Sequence, residues 1–186
     1  MADVYNVMID LETMGTRPES AICSIGAVKF DIDRGIYDEY HQSINLKSCE
    51  KVGMVFNADT LTWWLKQDEK AYNFWIDSKN NIRDVLISFG KWLGPNAFVW
   101  GNGAMFDLTI LENAYQRFGL WVPWKYPHAL CYRTVAKIFP FIEYKHNGTQ
   151  HLAIDDARSQ ALHLIEILKV MRQVHKNINF INQQCG

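Results

Sequence analysis

The stretch Met8-Ile9-Asp10-Leu11-Glu12-Thr13-Met14-Gly15 constrains this chain more than any other. It reads as an apolar strand that runs into a glycine turn. Strand side chains alternate between faces, so Asp10 and Glu12 point the same way. Two carboxylates held that close repel, and one is driven toward protonation unless a cation lies between them. A hard divalent ion with oxygen ligands meets that need. The alternative is a strand with one solvated face, and the rest of the chain has to decide between the two.

The surrounding pattern predicts a sheet for this strand to join. Val4 to Leu11, Ile22 to Phe30 and Tyr37 to Ile44 read as three strands joined by short turns, hence antiparallel. Residues 47–57 are irregular. Asp59 is placed to cap a helix through Gln67, with a short helical piece over Ala71 to Trp75. Ser78 precedes Ile82, Val85, Leu86, Phe89 and Leu93 at helical spacing, and Gly94-Pro95 end that helix. Ala97 to Trp100 is a short strand. Leu108, Leu111, Tyr115 and Phe118 mark a helix ending at Gly119, and Cys131 to Phe139 another. Trp121 to Leu130, aromatic and holding two prolines, takes no assignment. A last long helix follows His151, and the tail after Lys176 reads as a loose end or edge contact. Three strands followed by alternating strand and helix make an α/β fold with a mixed sheet, in one domain over residues 1–186.

Composition removes several function classes. A formal net charge of −1 argues against a broad basic surface that coats nucleic acid. It leaves room for an enzyme that grips only a strand end, where bound metal supplies the local positive charge. The cysteines Cys23, Cys49, Cys131 and Cys185 show no C-x-x-C spacing, so neither a zinc knuckle nor a redox pair is expected. Free thiols, no secretory leader pattern and no bilayer-length apolar run lead to the expectation of a cytoplasmic, membrane-free protein.

Two further clusters carry chemistry. Asp107 follows Asn102-Gly103-Ala104-Met105-Phe106 at the start of a helix, where the helix N-terminus favours negative charge. His151-Leu152-Ala153-Ile154-Asp155-Asp156-Ala157 opens the last helix, with a histidine ahead of two first-turn acids. Each cluster alone reads equally well as helix-start acids. Together, all three fall at element ends, where α/β sheets place ligand sites. Four convergent carboxylates cannot all stay ionised without cations. Two Mg²⁺ or Mn²⁺ ions, about 3.5–4 Å apart, would satisfy them and serve in-line attack of water on a phosphodiester.

Asp10-Leu11-Glu12-Thr13, Asn102 with Phe106-Asp107, and His151-x-Ala153-x-x-Asp156 resemble the three motifs of the DEDDh 3′→5′ exonucleases, in that family's order, from residue 8 to residue 157. Asp10 to Pro18, with Ala58-Asp59-Thr60-Leu61-Thr62-Trp63-Trp64 later, is most similar to phage DexA-type exodeoxyribonucleases and their small bacterial relatives, some of which act on RNA. The resemblance implies a ribonuclease H-like mixed five-stranded sheet flanked by helices. It implies Asp10, Glu12, Asp107 and Asp156 as ligands of two divalent ions, Asp10 bridging both, and His151 as general base. Asp155 is left as a helix cap or a group behind the ligands.

The implied substrate is a single-stranded DNA or RNA 3′ end, DNA slightly favoured, with release of nucleoside 5′-monophosphates in a bacterial or phage-infected cell. Thr13 and Asn102 are implied substrate contacts. Met14 is either a wedge against the terminal base or ordinary packing. One of Trp63 and Trp64 is expected in the core, and the other either packs or stacks on a base. Arg17 and Arg158 read as surface residues. Relatives that pair make a homodimer one assembly to test, with residues 121–126 as a face for it. The alternative function is a catalytically silent strand-end binder or polymerase partner on the same fold.

Overall fold

The computed structural model describes residues 5–184, with side chains through residue 177. Val4, which opens the first predicted strand, and Cys185 lie outside the described residues. Strands β1 (Tyr5–Thr13), β2 (Ile22–Asp31) and β3 (Gly35–Ser43) form an antiparallel meander. β4 (Ala97–Gly101) adds parallel to β1, and β5 (Ala129–Cys131) parallel to β4. The sheet order is β3-β2-β1-β4-β5. This is the mixed five-stranded α/β sheet expected from the sequence.

Helices α1 (Leu46–Glu50), α2 (Ala58–Trp64), α3 (Glu69–Ile76) and α4 (Ile82–Leu93) link β3 to β4. α5 (Asp107–Arg117) links β4 to β5, and α6 (Tyr132–Ile138) and α7 (Ala153–Gln184) close the chain. Several predicted boundaries shift. Asn57 caps α2 instead of Asp59, and Asn81 caps α4 instead of Ser78, each by accepting a backbone N–H in the first turn. The irregular stretch after Asn45 holds α1, too short to show a period. The unassigned aromatic stretch ends in a single 3₁₀ turn and the three-residue β5. The tail is not a loose end: the backbone stays helical through Gln184, because no glycine or proline interrupts residues 177–184. Among the described residues no helix is long and apolar enough to cross a membrane, and Cys23, Cys49 and Cys131 are free thiols.

Strand alternation divides the core between the two faces of the sheet. Val7, Ile9 and Leu11 pack with α4 and α5 through Leu86, Phe89 and Leu111. Met8 packs on the other face with Val28, Phe30 and the α7 residues Ile154, Ala157 and Ala161. Burial of each large apolar side chain contributes about 1.5–3 kcal/mol, so this apolar stripe holds α7 in place before any polar contact does. Arg158 adds a surface tie, pairing with Glu39 of β3 and with Asp155.

One glycine sets how closely α7 approaches. Gly26 stands opposite Asp10 in the β1–β2 register. A Cβ on it would lie 2.2 Å from the Ala153 carbonyl carbon and 2.3 Å from the Ile154 nitrogen. The first turn of α7 therefore rests on bare β2 backbone. Parity does the rest: the β1 face that carries Met8 also carries Asp10 and Glu12, and it faces α7.

Candidate active site

The two halves of the acid cluster arrive from opposite ends of the chain. Asp10 and Glu12 project from β1, and Asp156 stands in the first turn of α7. One oxygen from each of the three lies within 4.8 Å of the others. Asp107, 2% exposed at the start of α5, accepts the Leu11 N–H through Oδ1 (3.2 Å). All four acids line one cavity of about 840 Å³, together with His151, Thr13 and Asn102. The predicted acids and histidine therefore share one hollow.

The electrostatics of this hollow call for a cation. Burial raises the Asp10 carboxyl well above the usual range, and the charges of Asp107, Glu12 and Asp156 push it further, while the Gln160 hydrogen bond opposes them. Glu12 is raised by burial and then by Asp156 and Asp107. Burial pushes Asp107 up to about 7, against the Leu11 N–H bond and the Arg133 charge. Asp156 is raised by burial, against the pull of His146. Glu12 Oε1 and Asp107 Oδ2 are buried with no hydrogen-bond partner among the described residues. Oxygen donors that repel one another and face an unsatisfied gap fit a hard divalent metal.

Comparison with known proteins decides the family. A family model described as the 3′-5′ exoribonuclease Rv2179c-like domain matches residues 5–168. The chain belongs to the Rv2179c-like 3′-5′ exoribonuclease domain family. An exodeoxyribonuclease of Enterobacteria phage T4 is 23% identical over 124 residues, 58% of this chain and 54% of that protein. The chain thus spans about half the length of that curated relative. Among solved structures, E. coli exonuclease I in complex with a dT13 oligonucleotide matches with a TM-score of 0.69 at 12% identity, over 94% of this chain and 43% of that one. The nuclease domain of 3′hExo, a DEDDh family member bound to rAMP, matches with a TM-score of 0.61 at 16% identity, over 89% of this chain and 92% of that one. These structural likenesses identify the fold.

Within this Rv2179c-like domain, the histidines divide two tasks. His151 has a left-handed backbone (φ 61°), and its N–H donates to Asp156 Oδ2 (2.9 Å). Its ring instead meets the edge of Trp63, with centroids 4.8 Å apart. The backbone is thus anchored to the acid while the ring faces the cavity. It is His146 whose ring reaches Asp156, donating from Nε2 to Oδ1 (2.9 Å). Nothing in the spacing of His146 announced that contact. Gln160 is different: it lies one turn after Asp156, on the same helix face, and its Nε2 donates to Asp10 Oδ1 (2.9 Å). That i,i+4 relation was readable from the sequence.

The remaining predicted residues are placed as follows. Thr13 lines the cavity, and its carbonyl accepts from Trp64 Nε1 (3.0 Å). Both tryptophans line the cavity, but Trp64 is buried whereas Trp63 is 40% exposed. Met14 is brought into the core and not to the cavity wall. The register shift after Glu12 ends the strand alternation, so Met14 turns inward beside Leu11. This position agrees with the packing alternative for Met14. Asn102 lines the cavity and accepts from Arg133. Asp155 accepts from the Thr149 N–H (2.9 Å) and pairs with Arg158, stapling the loop ahead of α7. Arg158 is thereby a surface ion-pair residue, as its sequence context indicated.

Proposed function

We propose that residues 1–186 form one exonuclease domain that removes nucleoside 5′-monophosphates from single-stranded 3′ ends. The supporting observation is the convergence of Asp10, Glu12 and Asp156 to within 4.8 Å, with Asp107 and His151 on the same cavity wall. Asp10, Glu12, Asp107 and Asp156 would hold two Mg²⁺ or Mn²⁺ ions, which supply charge stabilisation and an acidified water. His151 takes the proton of the attacking water, its ring packed on Trp63 and its backbone fixed by Asp156. Gln160 fixes Asp10 Oδ1. Exposed Trp63 offers a face on which the terminal base stacks.

Digestion of 5′-labelled single-stranded DNA and RNA of one sequence, with Mg²⁺ or Mn²⁺, tests this reading. The expected result is stepwise shortening from the 3′ end with monophosphate release. Two intact strands would overturn it in favour of the silent strand-end binder. The same assay tests the slight DNA preference. The phage relative is an exodeoxyribonuclease, while the family model is described as an exoribonuclease, so faster RNA loss removes that preference.

Metal and pH should act together on stability. The acids hold protons to higher pH in the folded chain than in the unfolded one, where carboxyls titrate near about 4. From there up to about 7, the value for Asp107, the folded state binds more protons. The contribution of these acids to metal-free stability is therefore full at low pH and lost as pH rises through that window, by up to about 1.4 kcal/mol per pH unit for each carboxyl. Thermal melts should show Tm falling between pH 5 and pH 8 without metal, and saturating Mn²⁺ should remove most of that fall. A metal-free Tm that rises over this range contradicts the assignment.

A further inference from the structure

On the Asp107 side of the cavity, one guanidinium stands without a carboxylate ion pair among the described residues. Arg133, in the first turn of α6, is the sole arginine or lysine among the described residues lining the cavity. Its Nε donates to Asn102 Oδ1 (3.4 Å), and its Nη2 donates to the Asn102 carbonyl. Beneath it lies Gly103 (φ 102°), where a Cβ would sit 3.0 Å from Arg133 Cζ and Nη2. The guanidinium is thus pinned on one edge and seated against a residue with no side chain. Arg34, Arg158 and Arg172 each pair with a carboxylate, whereas Arg133 forms no such pair among the described residues. The two hydrogens of Nη1 and one of Nη2 remain, a fork suited to phosphate oxygens.

Its place in the cluster tells which phosphate. Arg133 rests on Asn102 and Gly103, next to the Gly101 that abuts Asp107 at the end of β4, whereas the His151 backbone is bonded to Asp156 and its ring packs on Trp63 of α2. In-line displacement sets the attacking water and the leaving O3′ on opposite sides of phosphorus. With His151 serving the water, the shortened strand leaves toward Arg133. We propose that Arg133 binds the phosphate immediately upstream of the bond that is cut, and so holds the strand in register for the next cut. This rests on the exonuclease reading above.

The test compares wild type, Arg133→Gln and Arg133→Lys on two substrates. One is a single-stranded oligonucleotide. The other is the p-nitrophenyl ester of thymidine 5′-monophosphate, which has a cleavable phosphodiester and no upstream phosphate. For Arg133→Gln, kcat/KM should fall about tenfold more on the oligonucleotide than on the ester. The slope of log affinity against log salt should become shallower by roughly 0.7. Arg133→Lys should restore the slope, since the charge returns, yet not the oligonucleotide rate, since the fork does not. Equal losses on both substrates, or an unchanged slope, overturn the proposal. Failure of the exonuclease reading looks different, since wild type would then cleave neither substrate. In that case oligonucleotide anisotropy with Ca²⁺ still reads the slope, and an Arg133→Gln slope equal to wild type overturns the proposal.

Discussion

Asp10→Asn is expected to lower the rate of 3′-nucleotide release on the order of 10³-fold, and to make the metal-free protein more stable at pH 8. Both effects have one cause. Asp10 is partly buried beside Asp107, Glu12 and Asp156, so its negative charge costs stability unless a cation compensates it. Asparagine keeps the shape and can still accept from Gln160 Nε2, which limits the change to charge. Relief of about 1 kcal/mol would raise the Tm of a chain of this length by about 2–4 °C. The Tm gain on adding Mn²⁺ should shrink in the same variant. A variant that keeps wild-type turnover, or one that melts lower than wild type without metal at pH 8, would remove Asp10 from the role assigned to it.

How much of this was legible beforehand depends on the range of the signal. Asp10 and Glu12 were readable because strand parity is local: two residues apart on a strand means one face. The face that Gln160 shares with Asp156 is readable on the same ground, four residues apart on a helix. The mixed sheet followed from three adjacent strands and a later alternation of strand and helix. Elements of three to five residues, β5 and α1, carry too little periodicity to be seen. Contacts set by tertiary packing were also hidden. His146 reaches Asp156 only because a loop folds back over the start of α7. Arg133 meets Asn102 across 31 residues, because β5 pairs beside β4. Met14 was ambiguous because its direction depends on a register shift that no residue type signals.

Gly26 shows the same limit with the larger structural consequence, and Gly26→Ala is expected to damage the site without touching any of its acids. The new Cβ would lie 2.2–2.4 Å from the Ala153 carbonyl group and the Ile154 nitrogen, all backbone atoms that cannot swing away as a side chain can. Either β2 or the start of α7 must move. Overpacking of this kind costs about 1–3 kcal/mol, which would lower the Tm by several degrees. Because Gly26 is paired with Asp10, displacement of α7 separates Asp156 and Gln160 from Asp10. A misplacement of about 1 Å can cost on the order of 10²-fold in rate. The variant should therefore stay folded at 20 °C by circular dichroism yet lose most turnover, and require more Mn²⁺ for half-maximal rate. Gly35→Ala is a control: open space surrounds it but its backbone is left-handed (φ 77°), so it should lower the Tm by strain alone and leave the metal requirement as it was. If Gly26→Ala binds metal and cleaves like wild type, α7 is not what brings the two halves of the acid cluster together.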